Sequence, residues 1–318
     1  MAMDRTALPH AAEGVPRYGL ALTVDGPPRA PLRFEVADGR RMVLLQGEQV
    51  VLLARQRVTY FGVHYARTGH YVSPIAPLRA DTARRHRDTH PDDDAWSLRW
   101  AHHFADALRA SSNGPLHEGD WQLRPGMTAY AVDAFWDSLS HDPDIGHLAW
   151  FSGSPPTDSR DILALRPLSA PHTARVKAYR RQYREGTLPP VLLWGVSALD
   201  ACVVLDGHDR LAAALAEGGR PAVLRLNRAG KEAVHQLCAR PLLRAYEERI
   251  ARLTADLAEG HPMAEVRIAN AGRRLAGDLD TVYARSHLTR SWPLPGGAPA
   301  WQELAARHAP DWHPDTHI

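Results

Sequence analysis

Cysteine is scarce in this chain of 318 residues, which contains only Cys202 and Cys238. The two cysteines lie far apart, and neither falls in a Cys-x-x-Cys motif or in another spacing typical of a metal or redox site. Such sparse usage is typical of proteins from a reducing compartment. We therefore expect a cytoplasmic protein whose cysteines hold no metal.

Long apolar runs are also absent. No segment approaches the roughly 20 consecutive apolar residues that a membrane-spanning helix needs. The sequence that follows Met1 is polar and lacks the apolar stretch of a signal peptide. Both absences agree with the expected cytoplasmic localisation and predict that the protein has no membrane partner.

Net charge is small, because the chain has 38 lysines and arginines and 36 aspartates and glutamates, which gives +2 with neutral histidines. A protein with so little net charge has no overall basic field that would attract nucleic acid. The composition therefore allows nucleic acid as a partner but does not favour it.

Hydrophobic residues make up 44% of the chain, enough for a packed core, and the length fits one large or two ordinary domains.

The most informative stretch is residues 203–218, which read Val-Val-Leu-Asp-Gly-His-Asp-Arg-Leu-Ala-Ala-Ala-Leu-Ala-Glu-Gly. The apolar, β-branched residues at its start predict a buried strand. Gly207 lies where the backbone must turn sharply or approach another group closely. From Leu211 the residues are strong helix formers, and Gly218 supplies a C-terminal stop. The stretch therefore predicts a strand, a polar turn and a helix.

The polar turn places reactive side chains at the predicted N-terminus of the helix. Exposed N–H groups and the positive end of the helix dipole favour anions there, phosphate above all. His208 and Arg210 would add donors, and Asp206 or Asp209 could hold Mg²⁺ or accept a proton. A structural role fits the same residues: Asp206 as a helix cap, Arg210 paired with either aspartate, and His208 as a packed side chain.

The sequence around this turn, residues 162–226, has a recognisable order. Residues 162–165 predict a strand, residues 173–185 a basic helix, and residues 188–194 a strand that follows Pro-Pro. The strand, turn and Ala-rich helix come next, and residues 222–226 predict a closing strand. With Pro-Pro-Val before and Asp-Gly-His-Asp-Arg-Leu-Ala-Ala-Ala after, this region resembles the ParB/sulfiredoxin superfamily, above all its Asp-Gly-His-containing members.

The resemblance implies a unit that binds a nucleotide, namely ATP, ADP or CTP with Mg²⁺, and that acts as a kinase or nucleotide hydrolase. Free-serine kinases of this group handle phosphate with an Asp-Gly-His-His-Arg turn, and Asp209 stands here in place of the second histidine. Sulfiredoxins carry a cysteine in the turn, which this chain lacks, so sulfinic-acid reduction is not expected. The Gly-Glu-Arg-Arg turn of chromosome-partition ParB proteins is absent too.

The basic helix is the second feature of this region. Its cations are Arg175, Lys177, Arg180, Arg181 and Arg184. Arg180 and Arg184 are one turn apart, as are Lys177 and Arg181, so two adjacent rows of positive charge are predicted. In the family this helix lies near the nucleotide, which implies that it forms a wall of the phosphate pocket. A nucleic-acid contact and a solvated helix face are the alternatives.

Together these arguments define a predicted site. The predicted catalytic residues are Asp206, His208 and Asp209. The residues predicted to bind the nucleotide are Gly207, His208, Arg210, Arg180 and Arg184. Asp206 and Asp209 are also the predicted magnesium ligands. The leading hypothesis is a protein that binds a nucleotide or a phosphorylated small molecule, as a phosphotransferase or hydrolase. The alternatives are a non-catalytic nucleic-acid-associated module and a ParB-like nuclease.

For the whole chain, the patterns predict an α+β protein. Residues 1–152 are predicted to form a small antiparallel β-rich domain with a helical segment, because β patterns and hairpin signals such as Asp38-Gly39 recur from Tyr18 to about Val72. Residues 160–228 form the ParB/sulfiredoxin-like unit, and a segment rich in Ser, Gly and Pro links the two.

Residues 229–318 are predicted to form C-terminal helices and a tail that contains tryptophans. The first helical pattern is broken at Pro241. After the break, Leu242, Tyr246 and Ile250 recur on one face, which indicates an amphipathic helix. Such a face could pack within the chain or join two copies into a homodimer.

Overall fold

A computed structural model describes residues 1–8, 19–56, 62–126, 139, 142–149, 162–229, 232–285 and 288–313. Within these ranges the chain forms seven helices and two mixed sheets, so the predicted α+β class is confirmed. The helices are α1 (Ala80–Thr89), α2 (Asp93–Ala110), α3 (Ala174–Arg184), α4 (His208–Ala216), α5 (Glu232–Ala258), α6 (Ala264–Arg285) and α7 (Gly297–His308). The strands are β1 (Ala2–Ala7), β2 (Leu20–Asp25), β3 (Leu32–Ala37), β4 (Arg41–Gln46), β5 (Gln49–Gln56), β6 (Gly62–Arg67), β7 (Gly119–Pro125), β8 (Ile145–Ala149), β9 (Ile162–Ala164), β10 (Val191–Val196), β11 (Ala201–Asp206), β12 (Val223–Arg228) and β13 (Ser291–Pro293).

One sheet has seven strands in the order β1–β2–β7–β12–β10–β11–β9. Strands β9 to β12 come from the predicted central unit, where β10 pairs with β12 in parallel and with β11 in antiparallel orientation. β12 also pairs with β7, with Leu226 opposite Leu123, and β7 continues the sheet into β2 and β1. The boundary predicted near residue 152 therefore does not separate two sheets. The linker itself, residues 152–158, lies outside the described residues.

The second sheet has six strands in the order β13–β3–β4–β5–β6–β8. The hairpin predicted at Asp38 and Gly39 joins β3 to β4, and both residues have the positive φ that tight hairpin turns use, 54° and 73°. β13 comes from the C-terminal tail and pairs in parallel with β3. The N-terminal β-rich region thus provides most of this sheet and three strands of the other.

The main core lies between the two sheets and α2. Phe34 of the six-stranded sheet and Trp194 of the seven-stranded sheet approach with ring centroids 5.9 Å apart. The helical stripe of α2 contributes Trp100, Phe104 and Leu108, all fully buried. Burial of large apolar side chains from both sheets in one cluster holds the sheets together.

The helices of the central unit lie on the other side of the seven-stranded sheet. α3 and α4 pack on each other through an apolar contact that includes Val176, Tyr179 and Ala213. The order β9, α3, β10, β11, α4, β12 agrees with the order predicted for residues 162–226. The segment after β6 reaches the end of β11, where the Tyr71 hydroxyl donates to the Leu205 carbonyl. Segments distant in sequence therefore meet at the start of α4.

The C-terminal region forms a hairpin of α5 and α6, followed by β13 and α7. The break expected at Pro241 is absent, because α5 runs through it. Pro241 lies on an exposed face, where water can hydrogen-bond the carbonyl that the missing N–H leaves free. Trp301 of α7 anchors the tail, since its Nε1 donates to the Met42 carbonyl at 2.9 Å. Among the described helices, none has the length and apolar character needed to cross a bilayer.

Candidate functional site

The predicted turn connects β11 to α4 through a single residue, Gly207. Its φ of +101° lies in the region that glycine alone adopts without strain. A Cβ at this position would come within 2.7 Å of Nη2 of Arg210. Glycine is thus required both by the backbone conformation and by the close approach of the arginine. It is also the N-cap of α4, and no side chain caps the helix.

Asp206 and Arg210 form a buried ion pair across this turn. The Asp206 Oδ2 accepts a hydrogen bond from Arg210 Nη2 at 2.8 Å, and its Oδ1 accepts one from the Ser73 hydroxyl at 2.6 Å. Arg210 also donates to the Pro190 carbonyl at 2.9 Å. Of the structural alternatives raised by the sequence, the pairing of Arg210 with Asp206 is present, whereas Asp206 does not cap the helix.

Asp209, in the first turn of α4, is held by three other side chains. Its Oδ1 accepts from the Ser169 hydroxyl at 2.7 Å and from Arg166 Nη2 at 3.2 Å. Its Oδ2 lies 3.3 Å from Arg175 Nε. The carboxylate therefore brings two arginines from separate segments to the start of the helix.

His208 is only 2% exposed, and its ring centroid lies 5.7 Å from that of Tyr71. Within the described structure its Nε2 has no hydrogen-bond partner. Burial, followed by the nearby charges of Arg166 and Arg67, holds the pKa of His208 well below its usual value. The imidazole is therefore neutral at pH 7, and it presents an unsatisfied polar atom beside the turn.

These residues line a cavity of about 300 Å³. Its walls come from the segment after β6, the segment after β9, α3 and the β11–α4 turn. The lining residues are Tyr71, Val72, Ser73, Ile75, Pro77, Arg166, Arg175, Tyr179, Asp206, Gly207, His208, Asp209 and Arg210. All five residues of the predicted turn therefore meet in one cavity.

The charge balance of the cavity favours an anion. Arg210 is committed to Asp206, but the side chains of Arg166 and Arg175 remain 35% and 56% exposed. The uncapped first turn of α4 adds N–H groups that have no partner within the helix. Both carboxylates already accept bonds from serine and arginine. The groups left for a ligand are therefore mainly hydrogen-bond donors.

Arg180 and Arg184, predicted to bind the nucleotide, lie elsewhere. Arg180 Nε and Arg184 Nη1 lie 2.6 Å and 2.9 Å from Oε1 of Glu217, the C-cap residue that follows α4. Neither arginine is among the residues that line the cavity. The α3 cation that does line the cavity is Arg175, because it lies near the N-terminus of α3, opposite the start of α4 rather than its end.

The predicted magnesium ligands, Asp206 and Asp209, do line the cavity. Their oxygens, however, already accept bonds from serine and arginine side chains. Among the described residues there is no cluster of three or more histidine, cysteine, aspartate or glutamate side chains placed to hold a metal. This donor set fits a protein-held Mg²⁺ poorly, since such sites are built from carboxylate oxygens free to coordinate.

Among the cavity residues that sequence reasoning missed, Tyr71, Ser73 and Arg166 form hydrogen bonds to the turn or to the strand before it. Tyr71 and Ser73 lie more than a hundred residues before the turn, and no pattern in that segment marks them. Burial, and then the nearby charge of Asp206, raise the pKa of Tyr71 well above its usual value, so its hydroxyl stays protonated as a donor. In the sequence, Arg166 is marked only by its position before Pro167, directly after the first predicted strand of the central unit.

Comparison with known proteins adds no relative: no family model, no curated protein and no solved structure matches this chain. The ParB/sulfiredoxin resemblance of residues 162–226 therefore stays a prediction from sequence.

Proposed function

We propose that the protein binds a nucleotide, or another phosphorylated small molecule, in the cavity at the start of α4. One observation carries the proposal. The uncapped N-terminus of α4 and two partly exposed arginines, Arg166 and Arg175, line the same 300 Å³ cavity. Helix N–H groups and guanidinium groups are both donors that suit a phosphate.

Phosphate fits this combination of donors. Backbone N–H groups at the start of α4 can bind phosphate oxygens, and the helix dipole favours their negative charge. The guanidinium groups of Arg166 and Arg175 can bind two oxygens each in a forked geometry.

The rest of the cavity suits the organic part of a ligand. Val72, Ile75 and Pro77 provide apolar surface, and the aromatic ring of Tyr179 lies on the α3 side. Ligand sites commonly combine an apolar lining with a few polar groups that fix orientation. A nucleobase could pack against this surface while its phosphates reach α4, and ATP, ADP and CTP are the nucleotides to test. Any Mg²⁺ would have to arrive bound to the phosphates, because the two aspartates are already paired.

The nucleic-acid and nuclease alternatives have less support. The nucleic-acid module depends on a free basic face of α3, and Glu217 pairs with two of the arginines on that face, Arg180 and Arg184. A nuclease would also need metal ligands, for which the paired carboxylates of the turn are poorly suited. The arrangement therefore favours a small phosphorylated ligand over a polymer.

Isothermal titration calorimetry with ATP, ADP and CTP, with and without Mg²⁺, tests the proposal. In the Arg166→Gln/Arg175→Gln variant we expect Kd for the bound nucleotide to rise at least about 10-fold, since one charged hydrogen bond is worth about 1.5–3 kcal/mol. The Arg180→Gln/Arg184→Gln variant removes the same charge outside the cavity and should bind like the wild type. Absence of binding by the wild type, or equal losses in both variants, would contradict the proposal.

Association of two copies is the second part of the proposal. α5 and α6 pack on each other, yet the hairpin keeps large apolar side chains exposed. These are Leu237, Leu243, Leu257, Met263 and Val266. A second hairpin of the same sequence would cover them and complete a four-helix arrangement, in which each helix has two neighbours.

A further inference from the structure

The hydroxyl of Ser73 makes its shortest hydrogen bond to Asp206. It donates to Asp206 Oδ1 at 2.6 Å, with the Ile75 carbonyl as a more distant acceptor at 3.3 Å, and it accepts a hydrogen bond from the Ile75 N–H at 3.1 Å. Ser73 lines the same cavity as Arg166 and Arg175, the two arginines proposed to bind phosphate. The hydroxyl therefore lies where a phosphate bound at the start of α4 would come close to it.

We propose that Ser73 is a phosphoryl acceptor: the protein transfers the terminal phosphoryl group of a bound nucleoside triphosphate to this hydroxyl. This inference rests on the proposed nucleotide binding and adds a reaction and an acceptor to it. The chemistry needs an oriented hydroxyl, a base within hydrogen-bond reach, and donors that stabilise negative charge on the phosphate.

The base and its orientation are present. Asp206 Oδ1 accepts a hydrogen bond from the Ser73 hydroxyl at 2.6 Å, and Arg210 Nη2 donates to the other carboxylate oxygen at 2.8 Å. Arg210 is itself fixed by the Pro190 carbonyl. Nucleophile, base and orienting group therefore follow one another in a chain of hydrogen bonds, which is the arrangement that activates hydroxyl nucleophiles. An aspartate that accepts a substrate hydroxyl proton is also the solution used in phosphoryl transfer by kinases.

The reaction balances with the nucleoside triphosphate as the only other reactant. The Ser73 oxygen bonds to the terminal phosphorus as the bond from that phosphorus to the bridging oxygen breaks. The hydroxyl proton passes to Asp206, and the bridging oxygen leaves with the electron pair as part of a nucleoside diphosphate. Arg166, Arg175 and the N–H groups of α4 stabilise the charge on the transferred group, and the products are phosphoserine 73 and the diphosphate.

Incubation of the full chain with [γ-³²P]ATP or [γ-³²P]CTP in magnesium-containing buffer, followed by peptide mass spectrometry, tests the inference. We expect one phosphoryl group per chain, located on Ser73. The Ser73→Ala variant should take up no label, and Ser73→Thr, which restores a hydroxyl, should recover part of it. Ser197→Ala is the matched control, because Ser197 also accepts a backbone hydrogen bond, from Thr289 at 2.9 Å, but lies outside the cavity lining.

The outcomes separate this inference from the proposed function. Calorimetry on the same samples measures nucleotide binding independently of transfer, and melting temperatures report whether each variant folds. Nucleotide binding without label on Ser73, or label that survives in Ser73→Ala, would overturn the inference and leave nucleotide binding intact. No nucleotide binding by the wild type would overturn both.

Discussion

Asp206 Oδ2 and Arg210 Nη2 lie 2.8 Å apart, and the arginine side chain is only 3% exposed. The pair joins the last residue of β11 to the first turn of α4, so it fixes the direction of α4 relative to the seven-stranded sheet. Because Asp206 also binds Ser73, the pair ties the segment after β6 to the same turn. The ion pair therefore helps to fix the shape of the cavity, together with the contacts of Asp209.

Removal of one partner from the pair should destabilise the protein strongly. Asp206→Ala leaves a buried guanidinium without its carboxylate, and we expect the free energy of unfolding to fall by about 3–5 kcal/mol. In Asp206→Ala/Arg210→Met neither charge remains buried, so this double variant should be more stable than Asp206→Ala. Urea denaturation of the variants measures the difference. A double variant that is no more stable than the single one would show that the pair is not coupled.

Gly207→Ala should cost more stability than the same change at another glycine with positive φ. At Gly207 the added Cβ is forced into a left-handed conformation, which costs about 1–2 kcal/mol, and it also meets Arg210 Nη2 at 2.7 Å. Gly186 is the matched control, because its φ is +67° and nothing lies within 4 Å of a Cβ built there. Chemical denaturation should rank Gly207→Ala below Gly186→Ala, and Gly207→Ala should also weaken nucleotide binding. Equal stabilities of Gly207→Ala and Gly186→Ala would contradict the close approach of Arg210 to position 207.

Buried histidines should make the protein less stable as pH falls below about 6.5. The pKa of His208 is lowered in the folded protein, so between its folded and unfolded pKa values only the unfolded chain binds that proton. The free energy of unfolding then decreases by at most about 1.4 kcal/mol per pH unit for one such group. Denaturation from pH 7 to pH 4.5 should show this slope, and His208→Gln should make it shallower.

His86 should also lower the free energy of unfolding as the pH falls. Burial, and then the charge of Arg99, lower the pKa of His86 to about 4. His86→Gln should therefore also flatten the decline of stability between pH 6.5 and pH 4. A stability curve of the wild type that stays level over this range would contradict both assignments.

Exposed leucines of the α5–α6 hairpin should control association. In sedimentation velocity we expect the wild type to form a dimer, and Leu237→Glu/Leu243→Glu to sediment as a monomer, because a buried charge opposes the contact. Leu288→Glu is the control, since Leu288 is 62% exposed but lies outside the hairpin. A wild-type protein that is monomeric at every concentration would contradict the proposal.

The order of elements in the central unit could be predicted because its signals are local. Apolar runs bounded by Pro-Pro, Gly207 and Gly218 mark strands and helix ends without reference to the rest of the chain. The pairing of β12 with β7 could not be predicted in this way, because it joins residues about a hundred positions apart and no short-range pattern encodes the partner of a strand.

The site could be predicted only where it is continuous in sequence. The five residues of the turn do line one cavity, since the strand, turn and helix fix them together. Helical spacing correctly grouped Arg180 with Arg184 on one face of α3. Spacing identifies neighbours on the same helix, but it does not identify the residues of other elements that this face contacts. That face meets Glu217, whereas Arg175 meets the cavity. Ser73 and Tyr71 reach the site only through the packing of the two sheets.

The position of β12 inside the seven-stranded sheet has a consequence for engineering. β12 has β10 on one side and β7 on the other, so residues 160–228 expressed alone would expose a complete row of unpaired backbone N–H and C=O groups. Such an edge is a template for intermolecular strand pairing and aggregation. The region that holds the candidate site is therefore not a portable module, and grafts or truncations need to retain β7 and the strands beyond it.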